Sequence, residues 1–134
     1  LVDDIPAIWA KPQGQTLQPE LYFARSYEPF FICRKGQPIM TKRGRRNVFD
    51  YPGTASKKKY HPTERPLPLI EDILVTLGIP GQVVLVPFLG SGATLRACYK
   101  LNMLGFGFDI SGEYRDRFLL AVEEDTKSIV TTEV

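Results

Sequence analysis

Residues 83–92 read VVLVPFLGSG, an apolar run that leads directly into two closely spaced glycines. The four consecutive aliphatic residues at its start predict a short strand that is buried on both faces. Gly90, Ser91 and Gly92 then predict a tight turn that opens a helix over about 93–101. Free backbone amides at a helix start favour polar or anionic groups. The stretch therefore predicts a strand–turn–helix unit with a ligand at the turn.

The segments on either side extend this unit into an alternating pattern. Pro66 and Pro68 suit the first turn of a helix, which Gly78 ends. Residues 105–110 predict a further strand, and residues 113–124 predict an amphipathic helix. Helix, strand, helix, strand and helix in this order indicate an α/β layer with parallel strands. Upstream, residues 5–10 and 27–34 predict two strands that can pair in antiparallel fashion.

An acid follows the glycine turn at a spacing that is typical of nucleoside sites. Asp109 lies 17 residues beyond Gly92, at the predicted end of the next strand, where an acid can accept both ribose hydroxyls. A Walker phosphate loop is excluded because no Gly-Lys-Ser/Thr follows, and Leu95 occupies the place of the third glycine of a dinucleotide fingerprint. The pattern predicts a nucleoside-type ligand; the alternative is a tight turn with a helix-capping Asp109.

The charge is concentrated in one segment of the chain. The net charge is +2, yet residues 34–66 carry ten basic and two acidic residues between acidic flanks. This distribution predicts a polyanion contact confined to that segment. A solvated loop with scattered charge is the alternative.

Composition excludes several other classes of protein. The 134 residues are 43% hydrophobic and 24% charged, which is ordinary for one globular domain. One histidine and two cysteines are too few for a zinc site, so we expect no metal, and we interpret Cys33 and Cys98 as core residues. No secretory leader or membrane-spanning run is present, so we expect no membrane contact. The chain begins at Leu1 with no Met before Met40, and we expect it to be part of a longer one.

Two ordered elements carry a resemblance to a known family. Residues 61–66, HPTERP, and residues 86–94, VPFLGSGAT, resemble the AdoMet-binding half of DNA amino-methyltransferases. The family has His-Pro-Thr-Glu-Lys-Pro and Asp-Pro-Phe-x-Gly-Ser-Gly-Thr-Thr at these places, and its permuted group has the catalytic region first. Weaker similarity at 8–12 and 25–32 matches the strands that end the catalytic region.

The resemblance implies a partial Rossmann-like α/β methyltransferase fold, with parallel strands, flanking helices and an antiparallel strand pair. It divides one structural domain into the end of the catalytic region (1–36), a basic DNA-facing loop (37–60) and the AdoMet-binding region (61–134). The residues it implies for S-adenosyl-L-methionine are Thr63, Glu64, Arg65, Phe88, Gly90, Ser91, Gly92, Thr94 and Asp109. Those implied for double-stranded DNA are Arg43, Arg45, Arg46, Lys57, Lys58 and Lys59.

The sequence departs from the family at three positions and lacks one element. Val86 replaces the acid that opens the glycine motif, Ala93 replaces the first Thr, and Arg65 replaces Lys. The family's catalytic Pro-Pro-aromatic element is missing, since the chain has no Pro-Pro dipeptide. We therefore assign no catalytic residue and expect the chain alone to be inactive.

The implied function is AdoMet-dependent methyl transfer to adenine N6 or cytosine N4 in DNA, as in restriction-modification systems. The alternatives are a non-catalytic nucleic-acid-binding remnant or one piece of a split enzyme and, less favoured, a small-molecule or RNA methyltransferase. The resemblance implies a cytoplasmic protein of a bacterial or phage-infected cell. Two further partners are left open by the resemblance: a second copy of the chain in a homodimer, and a complementing N-terminal region.

Overall fold

A computed structural model describes residues 1–54 and 64–132, which form two small sheets and three helices. The strands are β1 (Ala7–Gln15), β2 (Arg25–Phe30), β3 (Val48–Asp50), β4 (Val83–Val86) and β5 (Leu104–Gly107), and the helices are α1 (Leu67–Leu77), α2 (Ala93–Lys100) and α3 (Gly112–Thr132). Within these residues, none of the helices combines the length and the apolar character that crossing a membrane requires.

The first sheet has the order β2-β1-β3 and carries the main core cluster. Strand β1 runs antiparallel to β2 and parallel to β3, so that Trp9 lies opposite both Glu28 and Phe49. Trp9 and Phe49 are buried together with Leu69 of α1. The indole nitrogen of Trp9 donates a hydrogen bond to the carbonyl of Tyr51 at 2.8 Å, so its one polar atom is satisfied. The burial of Leu69 in this cluster holds α1 on the sheet.

The second sheet pairs β4 with β5 in parallel and is covered on one face among the described residues. Gly105 and Gly107 of β5 face α2, because an added Cβ would lie 2.7 Å from Leu95 at Gly105, and 3.2 Å from Leu95 and 2.7 Å from Leu89 at Gly107. On the opposite face, the neighbours Leu85 and Phe106 are 62% and 55% exposed. The prediction that residues 83–86 are buried on both faces is therefore wrong for the described part of the chain, although the strand itself is confirmed.

The predicted α/β class, with a parallel pair, flanking helices and an antiparallel pair, is confirmed, and three details differ. Strand β3 lies inside the segment predicted as a loop over 37–60 and pairs with β1. Strand β1 continues to Gln15, five residues beyond the end of the strand predicted at 5–10. Cys98 is buried as predicted, but Cys33 is exposed, so its interpretation as a core residue is wrong.

The half-buried carboxylate of Asp72 in α1 binds side chains of the basic segment, residues 34–66. Asp72 of α1 is 12% exposed and accepts hydrogen bonds from Lys42 at 2.8 Å and from the Tyr51 hydroxyl at 3.0 Å. It also forms an ion pair with Arg45, whose guanidinium lies 3.7 Å over the ring of Phe49. The hydrogen bond from Arg45 is the main cause that lowers the pKa of Asp72 to about 2. One carboxylate thus pairs with two cations, of which Arg45 is 19% exposed and Lys42 is 46% exposed.

We predict that Asp72→Asn lowers the free energy of unfolding by about 2 kcal/mol at pH 7. The folded pKa of Asp72 lies below its unfolded value, so this contribution is present above about pH 4 and is lost as the pH falls toward 2. Urea unfolding of both proteins at a series of pH values should therefore show their difference narrowing in acid.

The matched control for this prediction is Asp50→Asn. Asp50 pairs with Arg46 on the surface, with side chains 63% and 73% exposed, so its loss should cost under about 0.5 kcal/mol. A difference between wild type and Asp72→Asn that stays constant from pH 7 to pH 3 would contradict the assignment.

Candidate cofactor and nucleic-acid site

The glycine turn joins the end of β4 to the start of α2. The backbone amide of Gly92 donates to the carbonyl of Leu89 at 3.1 Å, which closes the turn. Gly90 and Gly92 both have positive φ angles, 56° and 73°, which other residues rarely adopt. Gly92 is the N-cap of α2, so the first free amides of that helix lie at the turn. The predicted strand–turn–helix geometry is present.

Asp109 is held against this turn by two backbone amides. One carboxylate oxygen accepts from Gly90 N at 2.8 Å, and the other accepts from Ser111 N at 2.9 Å, next to the start of α3. Asp109 is nevertheless exposed, and a carboxylate can accept more than two hydrogen bonds. Asp109 can therefore both order the turn and accept hydrogen bonds from a ligand. Its contact with Gly90 N orders the turn and at the same time fixes the carboxylate at the end of β5.

The remaining predicted residues of the turn divide into exposed and packed positions. Phe88 is 89% exposed at the end of β4, whereas Ser91 is buried and Thr94 is half-buried on α2. Val86, in the position of the family's acid, is half-buried and leaves the strand end without a carboxylate there. The strand ends thus present one exposed aromatic ring and one oriented acid.

Gly92 has a packing role that the sequence did not reveal. A side chain at this position would collide with the ring of Phe118 from α3. The glycine therefore allows α3 to lie close to the turn, in addition to any approach of a ligand to the backbone. A large substitution at Gly92 would disturb the fold first, so it cannot serve as a clean test of ligand binding.

The element before α1 contacts the first sheet. Arg65 lies 3.8 Å from Glu28 of β2, which also pairs with Lys11, and Glu64 is half-buried. Thr63 lies outside the described residues. The structure thus brings Gly90 and Asp109 together directly, and places Arg65 beside the hairpin of β1 and β2.

The predicted DNA-binding residues separate into three groups. Arg43 is exposed, and it has no ion pair among the described residues. Arg46 is exposed and pairs with Asp50, while Arg45 is 19% exposed and is bound to Asp72. All three precede β3 in sequence, and Asn47, which follows them, donates a hydrogen bond to the carbonyl of Pro6 at 3.0 Å. Lys57, Lys58 and Lys59 lie outside the described residues.

The structural role of Arg45 was not predicted. Its guanidinium also donates to the carbonyls of Arg46 at 2.7 Å and Val48 at 3.1 Å, so it is committed to the fold. The one available signal was the pair of adjacent acids, Glu71 and Asp72, within the mostly apolar α1. Elsewhere, burial raises the pKa of the Cys98 thiol, which makes it a poor nucleophile. No cluster of metal-binding side chains occurs within residues 1–54 and 64–132.

Together, the fold and the turn define an α/β protein whose glycine turn lies at the ends of two parallel strands, where ligands of such folds bind. The model of the DNA methylase family, of the N6 and N4 amino-methyltransferase type, matches residues 4–122. The chain belongs to this family.

Individual relatives agree with this assignment. The chain is 42% identical over 57 residues to the type II methyltransferase M.HpaI of Haemophilus parainfluenzae, covering 42% of this chain and 18% of that protein. It is 29% identical over 127 residues to M.SmaI of Serratia marcescens, covering 80% and 41%. The solved M1.HpyAVI–SAM complex superposes with a TM-score of 0.72 at 25% identity, covering 88% of this chain and 60% of that one. The chain thus spans less than two thirds of the length of each of these relatives.

We predict that Gly92→Ala lowers the free energy of unfolding by about 2–4 kcal/mol, because it combines an unfavourable positive φ with a collision against Phe118. Gly44→Ala is the control, since Gly44 has a φ of 68° but nothing within 4 Å of an added Cβ. It should cost only about 1 kcal/mol. Equal losses in thermal or urea unfolding would show that Phe118 does not restrict this position.

Proposed function

We propose that this chain provides the AdoMet-binding part and a portion of the DNA-facing surface of a DNA N6-adenine or N4-cytosine methyltransferase. The observation that carries the proposal is the Asp109 carboxylate, which Gly90 N holds at the glycine turn at 2.8 Å. The family match supports the same class of activity. We expect the chain to work with double-stranded DNA as its partner.

The residues at the strand ends suit the parts of AdoMet. The exposed ring of Phe88 offers an apolar surface to the adenine, and Asp109 offers an acceptor to the ribose hydroxyls. The turn amides and the residues 63–65 complete the proposed site. When bound, AdoMet would supply an electrophilic methyl group. The residues of this chain would bind and orient it.

The proposal separates cofactor binding from methyl transfer. Transfer requires the exocyclic nitrogen to be held in line with the methyl group at near-attack distance. In the family this is done by the Pro-Pro-aromatic element, which is missing from the sequence. The chain alone should therefore bind the cofactor without transferring its methyl group.

The second candidate function is a non-catalytic nucleic-acid-binding piece of the same fold. Val86 favours it, because a half-buried valine replaces the acid expected at the end of β4. Under this alternative the turn serves packing alone, as the contact of Gly92 with Phe118 permits. A measurement of AdoMet binding distinguishes the two functions.

We predict weak but measurable AdoMet binding in calorimetry, with background activity in a radiolabelled methyl-transfer assay on unmethylated DNA. Val86→Asp should tighten binding about tenfold, because a charged hydrogen bond is regained at the strand end. Asp109→Asn should weaken it by a similar factor. A gain of affinity cannot be caused by damage to the fold, so Val86→Asp is the decisive variant.

Two controls accompany this measurement. Val83→Asp adds the same acid to β4, but on the exposed face and away from the turn. Asp116→Asn removes an exposed acid of α3 that pairs with its neighbour Arg115. Both should leave the affinity unchanged. If Val86→Asp and Asp109→Asn behave like these controls, the site is wrongly assigned. Methyl transfer by the unmodified chain would show that the Pro-Pro-aromatic element is not required for its activity.

We also predict salt-dependent, largely sequence-independent DNA binding by the basic segment. Each phosphate contact that is lost should reduce the slope of log affinity against log salt by about 0.9. Ligands of α/β folds bind at the carboxyl ends of strands, and Lys57, Lys58 and Lys59 follow β3 in sequence whereas Arg43 and Arg46 precede it. Changing Lys57 and Lys58 to Gln should therefore flatten the slope more than changing Arg43 and Arg46 to Gln. If the slope is unchanged in both variants, the basic segment is a solvated charged segment that does not contact DNA.

A further inference from the structure

A cleft of about 590 Å³ lies between the C-terminal end of α1 and the start of β1. The side chains that form its floor are at least half-buried, namely Ala7, Phe49, Ile73 and Thr76. Met40 and Leu77, 36% and 40% exposed, add apolar surface at its rim. Clefts of about 300–1,000 Å³ with apolar walls and a few polar groups are typical of small-ligand sites. The size and the buried floor therefore indicate room for one small molecule.

One wall of the cleft is attached to the end of α1. The backbone amide of Thr41 donates a hydrogen bond to the carbonyl of Thr76 at 3.0 Å, and the Thr41 hydroxyl donates to the carbonyl of Gly78 at 3.2 Å. Thr76 is itself 1% exposed, so this attachment reaches the interior of the fold. The chain next to Met40 is therefore held against the helix, and the wall is a property of the backbone.

A second wall, formed by residues 4 and 5, is attached at both of its ends. On one side of it, the backbone amide of Asp3 donates to the carbonyl of Ile32 at 3.0 Å. On the other side, the carbonyl of Pro6 accepts from the Asn47 side chain at 3.0 Å. The exposed Asp4 lies between these two attachments, so its backbone is fixed at the opening of the cleft.

Four charged side chains line the cleft, and three of them form ion pairs with residues outside it. These pairs are Arg45 with Asp72, Arg46 with Asp50, and Asp3 with Arg34. The fourth, Asp4, has no ion pair among the described residues. The side-chain nitrogen of Asn47 is bound to Pro6, which leaves its amide oxygen as a further acceptor. The polar groups that remain for a ligand are thus one negative charge and one hydrogen-bond acceptor.

We infer that this cleft binds a small organic amine with an apolar body. The apolar body is buried against Ile73 and Phe49, and the ammonium group pairs with the Asp4 carboxylate at the opening. A carboxylate ligand is disfavoured, because Asp4 repels it and both arginines already have acidic partners. The ligand contacts α1, β1 and β3 together, so it binds the folded chain and not the unfolded one.

This cleft is separate from the proposed cofactor site. Residues 63–65 of that site precede α1, whereas the cleft is at the other end of the same helix. Helix α1 has 11 residues, which is about 15 Å of helix. An amine in the cleft therefore does not compete directly with a cofactor at the glycine turn.

The test compares three probes that share one apolar body and differ in the polar group: phenethylamine, phenethyl alcohol and phenylacetate. Nuclear magnetic resonance titration of the isotope-labelled 134-residue chain at low salt should show shifts of the Ala7, Phe49 and Thr76 amides. The amine should bind with a Kd of about 1 mM or below. The alcohol should bind about fivefold more weakly, because it lacks the charge, and phenylacetate more weakly still.

The variant Asp4→Asn should reduce the affinity for the amine to that for the alcohol and leave the affinity for the alcohol unchanged. The Asp4 side chain is exposed, so the fold should persist, as circular dichroism would verify. Glu20→Gln is the matched control, because Glu20 is another exposed acid without an ion pair among the described residues, and it does not line the cleft. It should retain the full preference for the amine.

A second variant tests the apolar wall. Met40→Ala removes part of this wall and should weaken the amine and the alcohol by the same factor, about threefold. Ile39→Ala is its control, because the neighbouring Ile39 is 74% exposed and does not line the cleft. It should leave both affinities unchanged.

Three results would overturn the inference. The first is equal affinity for the amine and the alcohol, and the second is an amine preference that survives Asp4→Asn or is lost equally in Glu20→Gln. The third is tighter binding of phenylacetate than of the amine, which would show that the arginines determine the ligand. None of these results bears on the proposed function, because AdoMet and DNA binding are measured separately.

Discussion

The Asp72 carboxylate joins parts of the chain that are far apart in sequence. It draws Lys42, Arg45 and Tyr51 onto α1, and the Arg45 guanidinium in turn covers the ring of Phe49 in the core. Helix α1 packs on the first sheet through Leu69 and against α2 on its other side. The two sheets are therefore connected through one helix whose position depends on a buried charge balance. Removing the carboxylate would leave both cations without their shared partner, which is costlier than losing a surface pair.

The second half of the chain was predictable because its signals are local. Proline before α1, glycine after it, and the run into Gly90 and Gly92 each mark a boundary within a few residues. Asp109 was predicted at the end of the strand that follows the turn, and because parallel strands end at the same edge, its carboxylate meets Gly90 there. Strand β3 was missed because it has only three residues and depends on its pairing with β1, which no local pattern encodes.

The site was predicted less completely than the fold, for a physical reason. Sequence reasoning treats Arg45 as one cation among several, because charge patterns do not show which cation meets an acid 27 residues away. The same limit applies to the exposure of Leu85 and Phe106, because an apolar strand has one sequence pattern whether or not its second face is covered. Gly92 shows the opposite case. Its motif assigned it to ligand binding, but in the structure its missing side chain also makes room for Phe118.

The exposed face of β4 and β5 bears directly on cofactor affinity. The position of the turn relative to Asp109 depends on this pair, in which Leu89 N donates to Phe108 O at 2.8 Å and Phe108 N donates to Val86 O at 3.0 Å. Two-stranded sheets are marginal by themselves, so ordering the pair adds to the free-energy cost of binding a ligand at its end. If another polypeptide covered this face, β4 and β5 would already be ordered before the cofactor binds, and the ordering would no longer reduce the affinity. Because such coupling is reciprocal, the bound cofactor would also strengthen the contact with that polypeptide. Weak binding by this chain would therefore have two separable causes. The missing acid at Val86 is local and can be restored by one substitution, whereas the uncovered face is a property of the sheet that no substitution at the turn can repair.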